Sequence, residues 1–517
     1  MTRVSLAIIG AGASAVALLH ALDARDDLEP GDLAVYDPAP HFWRGRAYQP
    51  DDDCVRVNSV PTDMSVVPGD TAHLTNWLQA REIMLGTATF VDELSGSVFA
   101  PRAVYGDYLE QAARQALLSL GRRGWRFDLI RERVTGIAPA ADGLMLSTAT
   151  GARTVDYAVL ATGAGQPTDV YGLTGAPGFV ADPYPVGRIL FGLPPEASVL
   201  VIGTGLTAVD VALGLRAKRH RGPIRLASRS GSLPGVRQAA APLELRHFTT
   251  PGLNRLRQRA GGLTVAAVVG LMRQELAHHG EDPVALLEEI LGLREEGAVE
   301  RLRRHLGQVH DSSVALRLLQ QAVPEVGPDI WPYLAGHEQD GLLRAHYRTI
   351  MSLCCPMPPA SARALLELAD RGQLTVDSDL QSVLPGSRGF EVTVAGRTSH
   401  ADVVVSAVNA RVRGFSPGAA SLLGSLSGQA LATSHHRGGL VTRRADSRAE
   451  RPDRQPSRLY ALGDPASGSL FFTFGVQSLV DRAVDIARDL ALRTTFEITA
   501  AGRSGAATVI DTQGAPA

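Results

Sequence analysis

The stretch VIGTGLTAVD, residues 201–210, nearly repeats IIGAGASAVA, residues 8–17, at the start of the chain. Each copy follows an apolar run, SLAII at 5–9 and SVLVI at 198–202, suited to a strand buried on both faces of a parallel sheet. Each supplies small residues at G-x-G-x-x-G/A spacing: Gly10, Gly12 and Ala15, then Gly203, Gly205 and Ala208. The first glycine serves a tight turn, the second the close approach of a pyrophosphate, and the alanine close helix–strand packing. A helical pattern follows in both places, VALLHAL at 16–22 and VDVALGL at 209–215, so that free N–H groups and a helix dipole face the phosphates. Ser14, Thr204 and Thr207 add hydroxyl groups to these turns.

The copies differ one strand later. In the first, LAVY at 33–36 ends in Asp37, at the spacing of a carboxylate that binds a ribose hydroxyl. In the second, IRLA at 224–227 ends in Ser228 and Arg229. An acid there repels a 2′-phosphate, whereas an arginine holds one through charge-assisted hydrogen bonds. The second site therefore predicts NADPH, read by Arg229 with Ser228 beside it. A nicotinamide donor needs an acceptor, and the acid-bearing first site suits FAD.

At 517 residues the chain has room for two or three domains, since single cores stop growing at about 250–300 residues. A formal net charge of −2 gives no overall pull toward nucleic acid or anionic membranes. The longest apolar run, GLTVAAVVGLM at 262–272, is short of the ~20 residues of a spanning helix and predicts a buried helix instead. The first apolar run leads straight into glycines rather than a cleavage site, and a cytoplasmic protein is expected. Cys54, Cys354 and Cys355 form no C-x-x-C pair, which argues against zinc and against disulfide-reductase chemistry.

With these residues in view, the chain resembles the two-dinucleotide flavoproteins, and more closely the FAD/NAD(P)-binding family of class B-like single-component monooxygenases and amino-acid N-hydroxylases. The resemblance rests on GAGASA at 10–15, WRGRAY at 43–48, Val57-Asn58, Asp63-Met64-Ser65, FAPR at 99–102 with Tyr105-Gly106, DYAVLATG at 156–163, and GTGLTAVD at 203–210. It covers residues 1–235 and resumes less specifically at about 375–495. It implies FAD contacts for Arg46, Asn58, Met64, Ser65, Arg102, Val134, Thr162 and Gly163. ADVVVSAVN at 401–409 looks like a counterpart of the A-T-G strand end, with Val-Asn where a glycine is commoner. LYALGD at 459–464 resembles the strand-end Gly-Asp of FAD enzymes, which implies that Asp464 binds the ribityl or pyrophosphate region. FFTFGVQ at 471–477 opens a helical pattern at 478–490, and the resemblance implies that Phe474, Gly475 and Val476 lie at the flavin, beside a helix N-terminus.

The fold class expected is α/β: two Rossmann-like dinucleotide-binding domains, three-layered, with a discontinuous FAD domain at 1–195 and 375–497. The NADPH domain starts at 196–235, and a largely helical insertion at 236–374 completes it. Within the insertion, VALLEEILGL at 284–293 and VERLRRHL at 299–306 carry apolar residues at helical spacing. The insertion also carries Arg237, Arg246, His247, Arg255, Arg257 and Arg259, a pattern of a solvated face; the resemblance to amino-acid hydroxylases, rather than this pattern, makes an anionic substrate such as the acidic amino acid aspartate worth testing. Residues 442–456 read as a surface loop, and the tail after 498 as disordered. His435-His436 lack partners at metal spacing.

The function expected is an NADPH-dependent FAD monooxygenase. Through a flavin hydroperoxide it would oxygenate a small substrate, by N-hydroxylation or N-oxidation of an amine or amino acid, with oxygen as co-substrate. The absence of a hydrolytic triad agrees with chemistry carried by a cofactor. A flavin oxidoreductase or dehydrogenase without oxygen insertion shares every motif, and a non-catalytic nucleotide-binding protein remains a third class. Carbon insertion beside a ketone is weaker, because the F-x-G-x-x-x-H pattern is missing.

Overall fold

The computed structural model describes residues 3–86, 90–163, 165, 167–260, 262–292, 296–408 and 417–507. Two five-stranded sheets, parallel throughout, form its centre. In the first, the strands run Leu459–Ala461, Tyr157–Leu160, Ser5–Ile9, Asp32–Tyr36, Arg126–Ile130. In the second the order is Leu374–Asp377, Ile224–Ala227, Val199–Ile202, Val403–Ser406, Phe179–Val180. The duplicated stretches are the central strands, buried as their unbroken apolar runs predict.

Both sheets are faced by a helix layer and an antiparallel three-stranded layer. Helices Ala13–Asp23, Arg102–Arg122 and Val476–Ala507 cover one face of the first sheet. The other face meets the strands Gly136–Ala140, Gly143–Ser147 and Ala152–Val155, from which Leu144 and Leu146 point inward and Met145 outward. The second sheet repeats this with helices Leu206–Ala217 and Pro359–Asp370, and with strands Leu380–Pro385, Phe390–Val394 and Arg397–Ala401.

Strand pairing corrects the expected domain limits. Leu374–Asp377 and Val403–Ser406 hydrogen-bond into the second sheet, so the chain does not return to the first domain at 375. Phe179–Val180 also joins the second sheet, ahead of the expected limit at 195. The first domain is nonetheless discontinuous, because Leu459–Ala461 and the helix Val476–Ala507 complete it.

The region 236–374 is helical as predicted, with Pro283–Gly292 and Ala298–Gly307 on the two periodic stretches. Its core packs Trp331 flat on Phe471 at 4.5 Å, joining it to the segment before Val476. The run at 262–272 enters the helix Val265–His278, which is buried on one side only, at Val268, Met272 and Leu276. Among the described residues, no helix is long and apolar enough to cross a membrane.

Two further expectations change. Residues 442–456 are not all surface: Asp446, Ser447, Arg448 and Ala449 are buried, with Arg448 paired to Asp446 at 2.9 Å. The final helix continues to Ala507, past the expected disorder at 498, as its alanine content favours; residues 508–517 lie outside the described ones.

A buried ion pair bridges the two halves. Arg102, at the start of the helix Arg102–Arg122, reaches Asp210 on the helix Leu206–Ala217 at 2.8 Å. Tyr184 accepts from Arg102 at 2.9 Å and donates to Asp210. Burial drives the Asp210 carboxyl up against the opposing pull of Arg102. Arg102→Met should therefore strand a buried carboxylate and cost about 3–5 kcal/mol of stability in urea denaturation. Adding Asp210→Asn should recover part of that loss, and strictly additive losses would contradict the coupling.

Candidate active site

The first crevice is built where the carboxyl ends of Ser5–Ile9 and Asp32–Tyr36 align, Ile9 opposite Tyr36. Gly10 has φ 106°, and a side chain there would lie 2.3 Å from the Ala161 oxygen, so the fold itself requires glycine. Gly12 differs, since the nearest protein atom to a side chain placed on it is the Gly45 Cα at 3.6 Å. The space beside it suits a phosphate better than it suits any protein group present. Ala15 is fully buried, as close helix–strand packing requires. Asp37 accepts from the Ala11 and Ala39 N–H groups at 2.7 and 2.8 Å, and its oxygens keep lone pairs for a ribose hydroxyl.

The distant segments converge here. Gly163 has φ 64°, and among the described residues no atom lies within 4 Å of a side chain built on it and the buried Thr162 hydroxyl has no hydrogen-bond partner. Gly463 lies against Ser14: a side chain on it would sit 3.2 Å from the Ser14 Oγ. Asp464, next in sequence, is thereby brought to the first glycine turn from 450 residues away. Burial pushes its carboxyl up to about 6. An orphaned hydroxyl, a desolvated carboxyl and an open glycine all fit a bound dinucleotide with polar groups to share.

The second crevice has the same construction. Gly203 has φ 120°, and a side chain there would meet the Ala407 oxygen at 3.0 Å, so Ala407 stands to Gly203 as Ala161 stands to Gly10. The expected likeness of 401–409 to the A-T-G strand end thus describes the second sheet rather than the first; Asn409 lies outside the described residues. Gly205 precedes the helix Leu206–Ala217 with no atom within 4 Å of a would-be side chain. Thr204 donates to the Ser232 carbonyl at 2.7 Å and pairs with Ser228 at 3.0 Å, so these two hydroxyls shape the turn. Thr207 is buried beside Tyr184. Arg229 is exposed at the strand end; its carbonyl accepts from the Asp379 N–H at 3.2 Å, while its guanidinium makes no hydrogen bond or ion pair among the described residues.

A cavity of about 1570 Å³ opens from the second crevice. Gly203, Gly205 and Arg229 line it at one side, and Asn58, Met64, Phe474, Gly475 and Val476 at another. Phe474 is 41% exposed, whereas Phe471 and Phe472 are buried in the helical core. The final helix begins at Val476, two residues ahead of the predicted pattern, and its N-terminal dipole end faces this cavity.

Several of the expected contact residues have protein partners. Arg46 forms a two-point pair with Asp182 at 2.7 and 2.8 Å, and Arg102 is spent on Asp210 and Tyr184. Both guanidinium groups hold the halves together, a use that only tertiary structure reveals. The Ser65 hydroxyl donates to the Asp70 carbonyl at 2.5 Å, and Val134 is buried in the core under the antiparallel layer. Asn58 donates to the Pro356 carbonyl at 3.4 Å, and the Met64 carbonyl accepts from Tyr105. His435 and His436 stack at 4.6 Å, and burial lowers His435 to about 4. No cluster of metal-ligating side chains occurs among the described residues.

Sequence reasoning missed Arg237 as a buried cavity residue, grouping it with solvated arginines. It is 7% exposed, and its Nε donates to the Asn58 carbonyl at 2.7 Å. Its signal was position: Arg237 follows the short apolar Leu233–Val236 segment rather than sitting on a polar helical face.

Residues 7–165 match a family model described as FAD-NAD(P)-binding. No curated protein matches the chain in sequence. In structure it is similar to an ornithine N-hydroxylase from Kutzneria sp. 744, with a TM-score of 0.58 at 15% identity, covering 96% of this chain and 100% of that one. It is also similar to an ornithine hydroxylase from Pseudomonas aeruginosa, at TM-score 0.57, 15% identity and coverages of 95% and 99%. A third is the cadaverine monooxygenase of the desferrioxamine pathway of Erwinia amylovora, solved with FAD, at TM-score 0.58, 12% identity and coverages of 95% and 94%. These likenesses establish the fold: two Rossmann-like α/β domains with a helical region.

If Arg229 reads a 2′-phosphate, Arg229→Ala should raise the KM for NADPH about tenfold or more and that for NADH less than about twofold. Steady-state kinetics with both donors checks this, and equal effects would remove the assignment.

Proposed function

We propose that the chain is an NADPH-dependent FAD monooxygenase that oxygenates the nitrogen of a small amine or amino acid. The observation that carries this reading is the pair of like-built glycine crevices, with the cavity beside the second lined by its turn and Arg229 at one side and by Asn58, Met64, Phe474, Gly475 and Val476 at another. Gly10, Gly12, Ser14, Asp37, Thr162, Gly163 and Asp464 would hold FAD. The Gly203–Gly205 turn would hold the NADPH pyrophosphate, with Arg229 on its 2′-phosphate. The solved structures similar in fold include proteins named as ornithine and cadaverine hydroxylating enzymes, one with NADP+ and L-ornithine in its description, and this favours nitrogen as the atom oxidised.

FAD, once reduced by NADPH, supplies the activation of dioxygen. The protein contributes position and exclusion. The start of the helix at Val476 offers partial positive charge to an anionic reduced ring. Buried Phe471 and Phe472, behind exposed Phe474, back the cavity with apolar surface and limit water. The substrate amine must be deprotonated to present its lone pair, so activity should rise with pH through the pKa of the bound amine.

The test is turnover of the flavin-loaded protein with NADPH, labelled dioxygen and a panel of amino acids and diamines. The expected result is substrate-stimulated NADPH use with label from dioxygen in a hydroxylamine product. NADPH use yielding hydrogen peroxide alone, whatever amine is added, would favour an oxidoreductase without oxygen insertion.

A further inference from the structure

Arg237 is a buried cation whose burial is offset only in part, by the charge of Asp63 acting without a direct ion pair. Its Nε donates to the Asn58 carbonyl at 2.7 Å and its Nη2 to the Ser59 hydroxyl at 3.3 Å, and it forms no ion pair among the described residues. Arg437, another buried arginine of the cavity wall, is by contrast paired with Asp340 at 2.8 Å. An arginine cannot escape burial by losing its proton. Burial does pull Arg237 below its ordinary value, offset in part by Asp63 and Cys355. A buried, unpaired charge costs several kcal/mol unless something pairs with it.

The hydrogen-bond count shows what is left to offer. Of five guanidinium N–H groups, two have protein acceptors, and both on Nη1 have none. The Nη1/Nη2 end of the fork stays open to a carboxylate, which it can grip at two points. Gln238, the next residue, also lines the cavity, and among the described residues its buried Oε1 has no donor. The backbone holds Arg237 in place: its N–H donates to the Met357 carbonyl at 2.9 Å, and Val236 bridges to Met357.

We propose that Arg237 binds a carboxylate of the substrate, so that the cavity selects an anionic amino acid over a diamine. This rests on the monooxygenase reading above. The alternative anion, a cofactor phosphate, is less suited: Arg229 ends the second strand of its crevice, where a 2′-phosphate lies, while the Gly203–Gly205 turn faces the pyrophosphate. A diamine would bring a second ammonium against a buried guanidinium, which repels it.

The experiment compares wild type with Arg237→Gln and Arg237→Lys, using L-aspartate, cadaverine and NADPH as probes. In wild type, L-aspartate should be preferred to cadaverine. Arg237→Gln should raise the KM for L-aspartate about tenfold or more, with partial rescue in Arg237→Lys, and the NADPH KM should move less than about twofold. A rise confined to NADPH would assign Arg237 to the cofactor, and equal KM changes for L-aspartate and cadaverine would reduce it to a structural pin; either result overturns the proposal. If Arg237→Gln does not fold, Arg237→Lys carries the same comparison, because it keeps the charge but loses the fork. If no amine is hydroxylated, the monooxygenase reading fails by itself. Equilibrium dialysis of labelled L-aspartate against the flavin-loaded protein still decides for Arg237: retention by wild type with loss in the variants supports it, and equal retention, or none by wild type, overturns it.

Discussion

The contact between Arg102 and Asp210 sets the geometry on which everything else depends. Hydride transfer requires two separately bound dinucleotides to meet within bond-forming reach, so the crevices must be held at a fixed mutual angle. Arg102 leaves one crevice's domain and Asp210 lies on the helix that opens the other. Tyr184 closes the triangle, and Arg46 with Asp182 adds a second pair nearby. A buried pair of this kind is a poor source of net stability but a demanding one geometrically, because either charge alone is costly.

Duplication explains why the chain carries two crevices of one construction. In both halves a strand, a positive-φ glycine and a neighbouring strand's alanine carbonyl are packed too tightly for any side chain, Gly10 on Ala161 and Gly203 on Ala407. In both halves the next glycine is not required by packing: a side chain on Gly12 would make only ordinary contact with Gly45, and one on Gly205 would meet nothing within 4 Å among the described residues, which leaves room for a pyrophosphate. The divergence lies beyond the turn, where Asp37 in one copy and Arg229 in the other make the crevices unlike in charge.

The local features were legible because they are written in consecutive residues: two strand–glycine–helix units, the acid and the arginine that follow them, and the 3.6-residue periodicity of the helical region. Membership of the sheets was not. Val403–Ser406 and Leu459–Ala461 are both short apolar strands, and only pairing across about 200 and 300 residues assigns them to different domains. The antiparallel layers show alternating burial at Leu144, Met145 and Leu146, but three apolar residues in a row carry no sign of it in the sequence. For single arginines, type alone does not give the partner: Arg46 and Arg102 pair with acids from the other half, while Arg237 is buried at the cavity with only part of its fork hydrogen-bonded. Which partner a charge finds is a property of the folded chain.

The central claim is that a flavin in the first crevice is reduced by NADPH held in the second. Mixing the flavin-loaded protein with NADPH under anaerobic conditions, and following the oxidised-flavin absorbance band, tests it most directly. The account expects rapid, saturable bleaching, faster with NADPH than with NADH. Flavin that stays oxidised at saturating NADPH, in protein shown to bind both cofactors, would contradict it.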